Sequence, residues 1–251
     1  MPVGAGLPLP GQAALLLDLD GTLLDIARTP DAVRVAPGLA TTLIAVRDAL
    51  DGALAIVTGR PIEQVDGLLP GVPYAVVGEH GGAIRAVPGG SVTRVPLPEV
   101  PGPWFLEAAR IAEAHPGSML ERKQRGFVLH YRAAPELGEG LREAVSRLIA
   151  PMAEQFQLMA ALMAWEVRPR GADKGSAVEA LMTTYPFAGR QPIFIGDDVT
   201  DEDGMRAARA LGGVGLQVDE WFGTAGGVRA WLGVSAVALA RGDGWPGLPY
   251  R

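Results

Sequence analysis

Short apolar runs that break off into glycine-bearing turns recur along this chain, and they constrain its fold more than any other feature. Ala13 to Leu17 leads into Asp18-Leu19-Asp20-Gly21-Thr22, Ala53 to Val57 into Thr58-Gly59-Arg60, Tyr74 to Val77 into Gly78-Glu79-His80-Gly81, and Ile193 to Ile195 into Gly196-Asp197-Asp198. A strand that is apolar at every position is buried on both faces, the condition of a parallel sheet covered by helices. Helical stretches at Gly38 to Leu50, Pro61 to Leu68, Lys174 to Thr184 and Glu202 to Ala210 supply that cover, and Gly213 to Val218 reads as a last short strand. Parallel βα units of an α/β fold follow.

The pattern is interrupted. Proline and glycine cluster at Val87-Pro88-Gly89-Gly90 and from Pro96 to Pro103, which marks a boundary. Beyond it the sequence predicts a helix from Trp104 to Ala114, strands at Met119 to Lys123 and Gly126 to Arg132, a helix from Leu137 to Ala150 and a returning strand at Trp165 to Arg168. This block has α+β character, so the reading is a core in two parts, residues 1–100 and 169–251, with an inserted unit over 101–168. The aromatic and Met residues of the run Leu158 to Trp165 are assigned to the core of that insert and not to a ligand platform. Met1 to Pro10 reads as a loose arm, and Arg241-Gly242-Asp243 as a turn.

Composition excludes several function classes. With 28 acidic and 22 basic residues, a formal charge of −6 and no basic block, the 251-residue chain is a poor partner for nucleic acid. No cysteine is present, so disulfides, thiol catalysis and thiolate metal sites are excluded, which fits a reducing compartment. The longest apolar stretch is far too short to span a bilayer, and the start lacks the pattern of a secretory signal. A cytoplasmic monomer that contacts no membrane is expected.

The chemistry gathers at the strand ends, where open α/β sheets place their sites. Asp18 and Asp20, two residues apart, face the same side of an extended segment, and such a carboxylate pair suits a Mg²⁺ ion as well as an ordinary Asx turn. Thr58 offers a hydroxyl, and backbone N–H groups, at a strand-to-helix turn suited to phosphate oxygens. Lys174 opens a helix as a point charge able to neutralise a phosphoryl group. Asp197, Asp198, Asp201 and Glu202 repel one another unless some bind a cation or cap a helix; Asp201 or Thr200 is the expected cap, and Asp197 the expected ligand.

Together these four segments resemble the haloacid dehalogenase (HAD) superfamily of phosphatases. The resemblance implies a Rossmann-like parallel sheet with an inserted α+β cap. It implies catalysis by Asp18 as nucleophile and Asp20 as acid and then base, with Thr58 and Lys174 on the phosphoryl oxygens. Mg²⁺ would be held by the Asp18 carboxylate, the Asp20 carbonyl and Asp197, with Asp198 and Asp201 nearby.

A closer similarity, to trehalose-6-phosphate phosphatases, runs through Gly78-Glu79-His80-Gly81, Leu120-Glu121-Arg122-Lys123, His130-Tyr131-Arg132, Glu166 to Pro169 and Gly196 to Glu202. It implies trehalose 6-phosphate as the small-molecule substrate, bound with help from Gly59, Arg60, Glu121, Lys123, His130, Arg132 and Glu166 as the cap closes over the sugar. Two rival readings remain: a phosphatase for sucrose 6-phosphate or mannosyl-3-phosphoglycerate, and a catalytically silent sugar-phosphate sensor. A solvated face of ion pairs is the plain alternative for Glu121, Lys123 and Arg132. Asp203-Gly204-Met205 departs from the bulky aromatic common in the family, with looser packing behind the acidic loop expected.

Overall fold

The computed structural model describes residues 6–26, 33–123 and 125–249. The first strand, β1 (Ala13–Leu17), is buried at all five positions. Burial on both faces makes each of its leucines worth roughly 1.5–3 kcal/mol of transfer free energy. Helix α1 (Leu39–Ala49), β2 (Leu54–Val57), α2 (Ile62–Leu68) and β3 (Ala75–Gly78) follow as parallel units. Pro61 sits just ahead of α2 at its N-cap. Two short antiparallel strands, β4 (Ala83–Arg85) and β5 (Thr93–Arg94), extend the sheet. β4 precedes the proline- and glycine-rich stretch, and β5 falls between its two clusters.

The second segment contains α3 (Gly102–Ala114), β6 (Met119–Lys123), β7 (Gly126–His130), α4 (Gly138–Ile149), β8 (Phe156–Ala161) and β9 (Ala164–Pro169). Its antiparallel sheet runs β6-β7-β9-β8. Phe127, Leu129, Phe156 and Val167 from the sheet pack with Trp104, Ala108, Leu141 and Val145 of the two helices as a separate core. The run from Leu158 to Trp165 is a hairpin whose Leu158 and Trp165 pack on that core, while Met163 turns at φ 54° and Leu162 is 70% exposed at the tip. Arg132 lies beyond the end of β7, exposed in the following turn.

The parallel pattern then resumes with α5 (Lys174–Leu181), β10 (Gln191–Gly196), α6 (Asp201–Ala210), β11 (Val214–Gln217), α7 (Val218–Trp221) and α8 (Ala225–Arg241). The complete sheet has the order β11-β10-β1-β2-β3-β4-β5. Its strand order reverses direction at β1, which puts a crevice at the carboxyl ends of β1 and β10. By contact density the chain forms two compact units, Met1–Val95 with Asp173–Arg251, and Pro96–Ala172.

Two expectations fail in the larger unit. The described part of the N-terminal arm is tied down: Leu7 packs on the core, and Trp245, stacked on Trp231, donates from Nε1 to the Pro8 carbonyl at 2.8 Å. Packing behind the acidic loop is not loose either. Gly204 lies so close to the Phe194 ring that a Cβ there would come within 2.5 Å of it, and Met205 is buried. No helix among the described residues is long and apolar enough to cross a membrane.

Candidate active site

β1 delivers Asp18 into the crevice and β10 delivers Asp197. Lys174 reaches them from the first turn of α5, whose start is fixed by a reciprocal cap: Asp173 accepts from the Ser176 N–H at 2.8 Å, and the Ser176 hydroxyl accepts from the Asp173 N–H at 3.3 Å. The Lys174 ammonium donates to Asp18 Oδ1 at 2.6 Å and to Asp201 Oδ1 at 2.5 Å. All three side chains are buried.

Asp201 does not cap α6, and neither does the Thr200 side chain. The Asp201 carboxylate turns back into its own loop, where Oδ2 accepts from the N–H groups of Asp197 at 3.1 Å and Asp198 at 3.0 Å. It thereby fixes the loop that carries Asp197. That residue is held further by Thr22, whose hydroxyl donates to Oδ1 at 3.1 Å, and by Gln217, whose Nε2 donates to its carbonyl at 2.6 Å. Sequence reasoning gave Thr22 no role and missed Gln217; both act across long sequence separations that only the folded sheet closes.

One ammonium serves three carboxylates here. Carboxylate oxygens of Asp18, Asp197 and Asp201 lie within 4.8 Å of one another. Burial pushes the Asp18 carboxyl up to about 8, with Lys174 pulling it down and Asp201 and Asp197 adding to the rise. Burial and the neighbouring Asp201 raise Asp197 to about 6. Burial also opposes the charge on Lys174, but the two aspartates outweigh it and hold the ammonium above its ordinary range. Such excess negative charge on oxygen donors alone is what a hard divalent cation relieves. The group therefore fits a metal ion of the Mg²⁺ type.

Asp20 and Asp198 stand outside this group of carboxylates. The Asp20 side chain is gripped by Arg60, and exposed Asp198 accepts from the Val199 N–H in its own turn. Thr58 is buried after β2, and its Oγ1 accepts from the Arg60 N–H at 3.2 Å, which leaves its O–H to donate. Gly59, between them, sits against the His80 ring, so close that a Cβ would come within 2.4 Å of it.

The trehalose-phosphatase family model matches residues 16–224. This chain belongs to the trehalose-phosphatase family. It is 35% identical over 211 residues to the trehalose-6-phosphate phosphatase of Escherichia coli K12, covering 84% of this chain and 79% of that protein. A probable trehalose-phosphate phosphatase of Sinorhizobium fredii is 39% identical over 207 residues, 82% of this chain and 77% of the relative. In three dimensions the fold is similar to the C-terminal domain of Candida albicans trehalose-6-phosphate phosphatase, with TM-score 0.70 at 20% identity over 90% of this chain and 93% of that one. The Aspergillus fumigatus enzyme gives TM-score 0.60 at 25% identity, covering 91% and 93%.

Within this trehalose-phosphatase the smaller unit holds the remaining site residues read from sequence. Glu121 is bracketed on its sheet face, with Lys123 Nζ at 2.8 Å from Oε1 and His130 Nε2 at 2.8 Å from Oε2. Burial works to raise its carboxyl, but hydrogen bonds from Lys123 and His130 prevail and hold it below the usual value. Glu166 shares the cross-strand row of Glu121, with Val128 between them. Arg132 is not part of that row.

Proposed function

We propose that this trehalose-phosphatase hydrolyses trehalose 6-phosphate to trehalose and phosphate. The observation that carries the reading is the buried Asp18, ion-paired to Lys174 at 2.6 Å beside Asp197 at the tip of β10 and Asp201 at the head of α6. Only a carboxylate so held is both shielded from bulk water and aimed by a fixed cation, which suits a nucleophile.

Asp18 attacks phosphorus, the bond from phosphorus to the sugar oxygen breaks, and an aspartyl-phosphate forms. Asp20 gives its proton to the departing sugar oxygen. Water then attacks the same phosphorus, Asp20 takes a proton from it, and phosphate leaves as the Asp18 carboxylate is restored. Thr58 and Lys174 donate to the phosphoryl oxygens throughout. The carboxylates of Asp18 and Asp197 and the Asp20 carbonyl would hold Mg²⁺, which when bound neutralises charge on those oxygens. Asp201 orients the set through Lys174 and the loop N–H groups.

On the smaller unit, Glu121, Lys123, His130 and Glu166 offer acceptors and donors to sugar hydroxyls. Phosphate release from a panel of sugar phosphates, with Mg²⁺ and with EDTA, tests the whole. Metal-dependent preference for trehalose 6-phosphate supports it, and equal turnover of all esters removes the substrate. Loss of turnover in Asp18→Asn with an unchanged fold is expected; retained turnover removes the nucleophile.

A further inference from the structure

The sheet of the smaller unit has one apolar face and one polar face. Phe127, Leu129, Phe156 and Val167 are buried on the first, so alternation sends Glu121, Lys123, Glu166 and Arg168 to the second. Lys123 pairs across to Gly126, and Arg168 pairs across to Gln157. A Cβ built on Gly126 would meet the Val167 carbonyl at 2.0 Å and the Arg168 Cα at 3.5 Å. The position between Lys123 and Arg168 therefore carries no side chain. Two strand spacings, roughly 9–10 Å, separate the Cα positions of the two residues.

Arg168 differs from the other cations of this face. Lys123 and His130 have Glu121 as a partner. Arg168 is only 7% exposed, and its Nε is buried with no hydrogen-bond partner. A buried N–H without an acceptor is costly, and an apolar side chain of the same length would avoid that cost. A fold that keeps such a group beside a row of carboxylates is holding a donor for something that arrives.

We propose that Arg168 is a specificity-determining residue that donates from its guanidinium to adjacent oxygens of the sugar that carries no phosphate. This rests on the functional reading above. Glu121 and Glu166 can only accept when ionised, so they read hydroxyl protons. The planar fork of Arg168 reads the complementary feature, the spacing of two neighbouring oxygen lone pairs. A ligand without those oxygens leaves the fork unpaired, and the site rejects it on that ground.

The test compares wild type with Arg168→Met and Arg168→Lys on trehalose 6-phosphate and on p-nitrophenyl phosphate, alongside thermal melting. For Arg168→Met, KM for trehalose 6-phosphate rises about tenfold or more, as loss of a charge-assisted hydrogen bond predicts. Its kcat/KM on the aryl ester stays within about twofold, since that ester lacks the second sugar. Its melting temperature is unchanged or higher, because a buried unpaired N–H has gone. Arg168→Lys, which keeps the charge without the fork, retains a raised KM. Equal losses on both esters, an unchanged KM, or a Met variant that melts lower or fails to fold overturns the proposal in favour of a structural arginine. A wild type without preference for trehalose 6-phosphate removes the functional reading itself, and Arg168 with it; a wild type with that preference and an unaltered variant removes only Arg168.

Discussion

Arg60 holds Asp20 with two parallel hydrogen bonds, Nε at 2.6 Å from Oδ2 and Nη2 at 2.7 Å from Oδ1. The arginine reads in sequence as a substrate contact. In the fold its fork is matched to a carboxylate, the geometry arginine provides and lysine does not.

Arg60 is therefore a positioning residue for the proposed acid and base. Arg60→Ala lowers kcat about tenfold to a hundredfold, within the factor of roughly 10²–10⁴ that a positioned proton donor supplies. The loss falls more heavily on trehalose 6-phosphate than on p-nitrophenyl phosphate, whose aryloxide leaves without needing a proton, and Arg60→Lys recovers little of it. A change confined to KM for the sugar ester would return Arg60 to substrate binding alone.

Lys174 separates two buried carboxylates, and its removal leaves them facing each other. Lys174→Met destabilises the fold by about 3–5 kcal/mol, the usual result of breaking a buried pair from one side. Adding Asp201→Asn to that variant recovers part of the loss, because one of the two stranded charges disappears. Urea unfolding of the two single variants and the double variant measures the coupling; strictly additive losses would mean that the ion pairs contribute nothing to one another.

The strand tips were legible because each combines an unbroken apolar run with a turn, and both signals are local. Lys174 at the head of α5 and Asp197 after β10 are where the sequence puts them. What stayed hidden has a physical reason in each case. The hairpin of β8 and β9 turns through Leu162 and Met163 without glycine or proline, so its apolar run gives no sign of reversal. Helix α8 went unread because Gly226, Gly227 and Gly233 blur its pattern. The task of Asp201 is set by Lys174 and by the N–H groups of Asp197 and Asp198, and the Lys174 contact exists only after α5 docks on α6.

Gly21 is where backbone freedom and metal-loop geometry meet. Its φ is +84°, and a Cβ there would lie 2.0 Å from Asp197 Oδ2. Gly21→Ala incurs the left-handed penalty of roughly 1–2 kcal/mol and also displaces the Asp197 carboxylate. Two readouts are expected to move together, a lower melting temperature and a higher Mg²⁺ concentration for half-maximal activity. A fall in stability with an unchanged Mg²⁺ titration would detach Asp197 from the metal.

Asp66 of α2 and Arg85 of β4 form a bidentate pair, with Nη2 and Nη1 each 2.6 Å from a carboxylate oxygen. The hydrogen bond from Arg85, with the charge of the guanidinium behind it, holds the Asp66 carboxyl below its ordinary 3.8 against the opposing push of burial. A carboxyl depressed in the folded state favours folding above its unfolded value, and that contribution fades as pH falls through the folded one. The Asp66 side chain is 43% exposed, so solvent screening limits the pair to below about 1 kcal/mol. Asp66→Asn should accordingly lower unfolding free energy slightly near pH 7, and the difference from wild type should shrink as the solution is taken below 3.8. Urea titrations at neutral and acid pH measure it. A deficit that persists undiminished in acid would assign the effect to lost hydrogen-bond geometry, because protonation would already have removed the charge from the wild-type carboxyl.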